Sequence, residues 1–92
     1  MANANANRTY IYTKQCKLCG HTDAYASLSH RLTALGKDVY VKQTSLFAGW
    51  QAEADEIGLE MPFVLDYDTM QSETVENLDK MNEEELRDWL GL

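Results

Sequence analysis

Apolar and polar positions divide the chain into a few short elements. Thr9-Tyr10-Ile11-Tyr12-Thr13 is β-branched or aromatic throughout, which predicts a first strand. Ala24, Tyr25, Leu28, Leu32 and Leu35 then recur at helical spacing, and Gly36 is placed to end a helix over about residues 16 to 35. Val39 to Thr44 reads as a second strand, parallel to the first because a helix joins them. Ser45 is placed to cap a second helix with Phe47, Trp50, Ala54 and Ile57 on one face and Gly58 as its stop.

Pro62 opens an apolar run, Phe63-Val64-Leu65-Asp66, that reads as a third strand, since proline is tolerated at a strand start. A weaker strand is expected near Ser72 to Val75, after a turn from Tyr67 to Gln71 that has no glycine. Asn82 followed by Glu83, Glu84 and Glu85 marks the start of a last helix, with Leu86, Trp89 and Leu90 as its buried stripe and Gly91 as its end. The expected order is β-α-β-α-β-β-α, an α/β class with a central mixed sheet of about four strands flanked by helices.

At 92 residues the chain has room for one core. Residues 1 to 8 open on alternating alanine and asparagine, a polar tail expected to be disordered, and residues 9 to 92 form the single domain. There is no apolar stretch of the ~20 residues a membrane span needs and no signal-peptide core, so a soluble, cytoplasmic protein is expected. Residues 1 to 45 carry a net charge of +4 and residues 46 to 92 one of −11, giving −7 in all. So acidic a chain, without a basic stripe, is not expected to bind nucleic acid.

The chemistry lies in Thr13-Lys14-Gln15-Cys16-Lys17-Leu18-Cys19-Gly20, which holds the only two cysteines. A C-x-x-C between a strand and a helix reads as a redox site. Exposed N–H groups and the dipole of a helix start favour a thiolate, which makes Cys16 the expected nucleophile. Cys19 follows by almost one turn, in reach of the same sulfur. Lys14 and Lys17 would add positive charge beside the thiolate and attract an anionic partner such as glutathione, although as exposed lysines they are also readily screened. Cys16, Cys19, His21 and His30 are too irregularly spaced for a common zinc site, so no metal is expected. Tyr12 and Tyr25 are candidates for a substrate groove, with core packing the preferred reading; Trp50 and Trp89 read as core.

These features resemble the glutaredoxin branch of the thioredoxin fold. The resemblance runs from about Thr9 to Leu90 and is carried by Tyr10-Ile11-Tyr12-Thr13-Lys14 before Cys16 and Cys19, and by Pro62 at the third strand. It implies a cis Met61–Pro62 bond facing the dithiol, with Met61 and Pro62 in the substrate site beside Lys14, Lys17 and Tyr12. It also implies a monomeric disulfide oxidoreductase with no bound cofactor and glutathione as reductant, acting on glutathione mixed disulfides or on proteins such as ribonucleotide reductase. Four features depart from the family: Lys17-Leu18 inside the dithiol, a single residue between Lys14 and Cys16, Met61 before the proline, and Val75-Glu76-Asn77-Leu78 where a Gly-Gly pair commonly receives a glutathione carboxylate. Glu76 has the wrong sign for that carboxylate. Two alternatives therefore stay open: a thioredoxin-like redoxin served by a flavin reductase, and a binding module without catalysis.

Overall fold

Strand propensity and side-chain alternation between residues 8 and 13 produce the strand on which the rest is assembled. The computed structural model describes residues 8–14 and 25–92. Within them the elements are β1 (Arg8–Thr13), α1 (Ala26–Ala34), β2 (Asp38–Gln43), α2 (Ala48–Ile57), β3 (Phe63–Asp66), β4 (Gln71–Thr74), α3 (Val75–Asp79) and α4 (Glu83–Trp89). Four strands form one mixed sheet in the order β2-β1-β3-β4. β1 runs parallel to β2 and antiparallel to β3, and β4 runs antiparallel to β3. The molecule is thus a small α/β domain.

Period-two alternation sends β1 side chains to both faces of the sheet. Ile11 and Val64 join Leu28, Leu32, Val75, Leu78, Leu86 and Leu90 in the larger core, between the sheet and α1, α3 and α4. Tyr12 and Phe63 point the other way and pack with Ala54 of α2, their rings stacked at 4.8 Å. Thr9, on the Ile11 face, donates its hydroxyl proton to the buried Asp66 carboxylate at 2.8 Å.

Local signals explain most boundaries. The Asn82 side chain accepts from the Glu85 N–H, and the Glu85 carboxylate accepts from the Asn82 N–H, forming the reciprocal cap expected of this sequence. Gly58 ends α2 at φ +77°, in the left-handed region that glycine enters without a steric penalty. Leu86 and Leu90 are buried and Trp89 packs against them half-exposed. The first helix is described from Ala26, with Leu28 and Leu32 buried; the expected span 16 to 24 lies outside the described residues, as does the tail through residue 7.

Three expectations are corrected. Ser45 does not cap α2: residues 44–46 form a turn in which the Leu46 N–H reaches Gln43 O, and the cap position falls to Phe47, with extended backbone and no side-chain cap. Phe47 therefore lies outside the helix and is 57% exposed, and Trp50 packs edge-on against it instead of entering the core. The fourth strand begins one residue early, at Gln71, and Val75 opens the short helix α3, which had not been expected. Its start is made by Thr74, whose hydroxyl accepts from the Asn77 N–H.

Candidate functional site

The end of the sheet at which β1 leaves the core brings together the described site residues. Tyr12 stands opposite Phe63 in the antiparallel pairing. That is the last pair of the ladder; beyond it Lys14 and Met61 line one groove. The Met61–Pro62 bond is cis, as the family resemblance implied. Thr44, at the end of β2, joins the two sides: its N–H donates to Thr13 O at 3.0 Å and its hydroxyl lies 3.9 Å from Met61 Sδ. The Val75 N–H donates to Pro62 O at 3.0 Å and ties the start of α3 to the same point.

Two open grooves flank Met61. One, of about 410 Å³, is lined by Met61, Pro62, Thr74 and Val75, with Glu60, Glu76, Asp79 and Lys80 supplying its charge. The other, of about 500 Å³, runs from Lys14 past Met61 and Glu60 to Gln51, Asp55 and Gly58 of α2 and its end. In the first groove Lys80 is paired with Glu76 at 3.3 Å, and Asp79 is held at 3.1 Å by Arg31 of α1. Its charges are therefore mainly carboxylates, a setting unsuited to a ligand that is itself a dicarboxylate.

Tyr12, a candidate for the groove wall, is a core residue, 1% exposed, in line with the preferred packing reading. Its hydroxyl donates to Glu53 Oε2 at 2.7 Å, and Lys42 donates to the same oxygen at 2.9 Å and to the Tyr12 hydroxyl at 3.3 Å. Burial, reinforced by the hydrogen bond to Glu53, pushes the Tyr12 hydroxyl well above the ordinary tyrosine range. The bonds from Lys42 and then Tyr12 hold the Glu53 carboxyl below its ordinary value. Neither Glu53 nor Lys42 had been singled out from the sequence. A lysine facing a sheet tyrosine is the available signal, but α2 had to be positioned before Glu53 could join it.

Tyr25 is half-buried against the larger core, in line with the packing reading. Lys14 is exposed at the mouth of the second groove. Met61 and Pro62 are half-buried between the grooves. Cys16, Cys19 and Lys17 lie outside the described residues, as does His21; His30 is exposed on α1. Among the described residues no three His, Cys, Asp or Glu side chains are grouped to hold a metal ion. No described helix is long and apolar enough to cross a membrane.

The site thus comprises a strand exit that continues along the chain into a dithiol, a proline-started strand lying against that exit, and an apolar floor at Met61 and Val75 rimmed by carboxylates. Comparison with family models, with curated proteins and with solved structures returned no match.

Proposed function

We propose that this chain is a dithiol–disulfide oxidoreductase of the glutaredoxin branch of the thioredoxin fold, working through Cys16 and Cys19. The observation that carries the reading is the register of β1 against β3. It brings Tyr12 opposite Phe63, next to Pro62, and Lys14, two residues before Cys16, lines one groove with Met61. The four-strand mixed sheet with helices on both faces is compatible with the α/β class that the resemblance implies.

In the proposed reaction the Cys16 thiolate attacks one sulfur of a substrate disulfide, forming a Cys16 mixed disulfide and releasing the other sulfur as a thiolate that takes up a proton. Cys19, on losing its proton, then attacks Cys16 Sγ. The second substrate thiol leaves, and the chain holds a Cys16–Cys19 disulfide. Substrate gains two electrons and two protons, and a thiol reductant returns them to the protein. Lys14, exposed beside this end of the sheet, favours the thiolate by charge. Met61 and Pro62 offer the substrate an apolar contact.

The carboxylate-rimmed groove favours a particular version of this reading. Glu76 stands on the groove that includes Pro62, and its one lysine is already paired. Glutathione, with two carboxylates, is poorly matched there, so a redoxin served by a flavin reductase fits these residues better than one recharged by glutathione.

The test is the rate of Cys16 alkylation at pH 6. A reactive thiolate, in a setting where such cysteines have pKa values of about 3.5 to 7.5, is alkylated far faster than free cysteine. A rate equal to that of free cysteine rejects the catalytic reading and favours a binding module.

A further inference from the structure

We propose that the outer edge of β2 is a homodimer interface, through which two copies join their sheets antiparallel about Tyr40. β2 is the end strand of the sheet and, among the described residues, pairs only with β1. It is six residues long, and Tyr40 and Val41 are each 39% exposed, on opposite faces. A long edge strand of this kind is a template for another strand unless a charge guards it. Of the two charged residues on β2, Asp38 is exposed and accepts from the Tyr40 hydroxyl at 2.8 Å, and Lys42 is folded back: its side chain is 13% exposed, with the ammonium 2.9 Å from Glu53 and 4.4 Å from the centre of the Tyr10 ring.

The backbone selects the register. The Thr44 N–H points inward, to Thr13 O. By strand alternation Lys42 and Tyr40 also turn their amides toward β1, which leaves those of Val39, Val41 and Gln43 facing the open edge. An antiparallel pair centred on Tyr40 places Val39 of one copy opposite Val41 of the other, so outward amides meet outward carbonyls. The same register opposes Asp38 to Lys42, in both directions, and Tyr40 to Tyr40. Of the registers that match outward groups, this one alone puts Asp38 of one copy at the position opposite Lys42 of the other, although within each copy Lys42 is held by Glu53 and Asp38 accepts from the Tyr40 hydroxyl at 2.8 Å. Asp38-Val39-Tyr40-Val41-Lys42 is therefore complementary to itself when reversed, as an isologous two-fold contact requires.

Side chains carry the same pattern. Tyr67, Tyr10 and Tyr40 form a row across the sheet, with ring centroids 4.7 and 5.7 Å apart, and Arg8 lies over the Tyr40 ring at 5.0 Å. The row ends at the open edge. Pairing about Tyr40 continues it into the row of the second copy, and directly opposed aromatics on one face stabilise a strand pair. The partner that fits this edge is a second copy of the chain, in place of the expected monomer.

The experiment is sedimentation velocity from micromolar to millimolar protein, with Cys16 and Cys19 replaced by serine to exclude disulfide exchange. The proposal expects a concentration-dependent dimer. Val41→Pro removes an outward N–H without touching the pairing to β1, so it should abolish the dimer and leave the circular dichroism unchanged. Should that variant fail to fold, Asp38→Lys opposes lysine to lysine and is expected to weaken association by about tenfold. Tyr40→Cys should crosslink two copies on oxidation. A wild-type chain that stays monomeric throughout, a dimer indifferent to both Val41→Pro and Asp38→Lys, or failure of Tyr40→Cys to crosslink overturns the proposal.

Discussion

Lys37 Nζ lies 3.2 Å from Asp66 Oδ1, with both side chains removed from solvent. Lys37 also donates to Asp68 at 2.6 Å, while Asp66 takes the Thr9 hydroxyl on one oxygen and the Thr69 N–H and hydroxyl on the other. One carboxylate thus links β1, the segment entering β2, and the turn from β3 to β4. Burial disfavours the Lys37 ammonium, but its bonds to Asp68 and Asp66 outweigh that and raise its pKa above the ordinary lysine value. Removing one partner of such a pair leaves an uncompensated buried charge. Lys37→Ala is expected to destabilise the fold by about 3 to 5 kcal/mol, read from urea unfolding. A loss within the range of an ordinary surface substitution contradicts this role.

Glu53 makes stability depend on acid. Its pKa in the folded chain lies below the ordinary glutamate value, chiefly through Lys42 and then Tyr12. Its contribution is therefore complete above the unfolded-state pKa and is lost as pH falls through the folded one. Glu53→Gln should destabilise the protein at pH 7, and the difference from wild type should shrink steadily from about pH 4.5 downward. Chemical unfolding of both proteins at pH 7, 4 and 3 measures it. A difference that stays constant with pH assigns Glu53 a packing role only.

The cap of α4 should behave as an independent local device. Asn82→Ala removes the acceptor for the Glu85 N–H, 2.8 Å away, and should cost about 1 kcal/mol. Because neither Asn82 nor Glu85 lines a groove at Met61, alkylation of Cys16 should be unchanged. A changed rate shows that α4 couples to the site.

That cap was legible because capping is a local code: Asn82, Glu85 and Leu86 carry it within five residues. The alternation around Ile11 and the glycine after α2 were legible for the same reason, since each depends on near neighbours. Phe47 misled because its apolar character continued the helical stripe, whereas the turn at residues 44–46 delays the helix past it. The glycine-free turn after β3 was legible in place, but not its support: the Asp66 carboxylate that holds Thr69 looked like the polar end of a strand, and Met70 takes a positive φ of 55°. The Lys37–Asp66 pair joins positions 29 residues apart in sequence, and no local pattern marks it. At the candidate site, Met61 and Pro62 were legible through one proline. Thr44 was not, because its role comes from lying between two strand ends.

The two cysteines should separate by role. Cys16→Ser is expected to end disulfide reduction, and Cys19→Ser to accumulate mixed disulfides between Cys16 and substrate, visible by intact mass. Accumulation in the Cys16→Ser variant instead would exchange the roles.

The most direct test of the central claim is turnover of a small disulfide by the wild-type chain and by Cys16→Ser, with dithiothreitol and then glutathione as electron source. The account predicts reduction by wild type with dithiothreitol, slower or absent recharging by glutathione, and loss of turnover in the variant. Wild-type turnover no faster than that of Cys16→Ser with either reductant would contradict it.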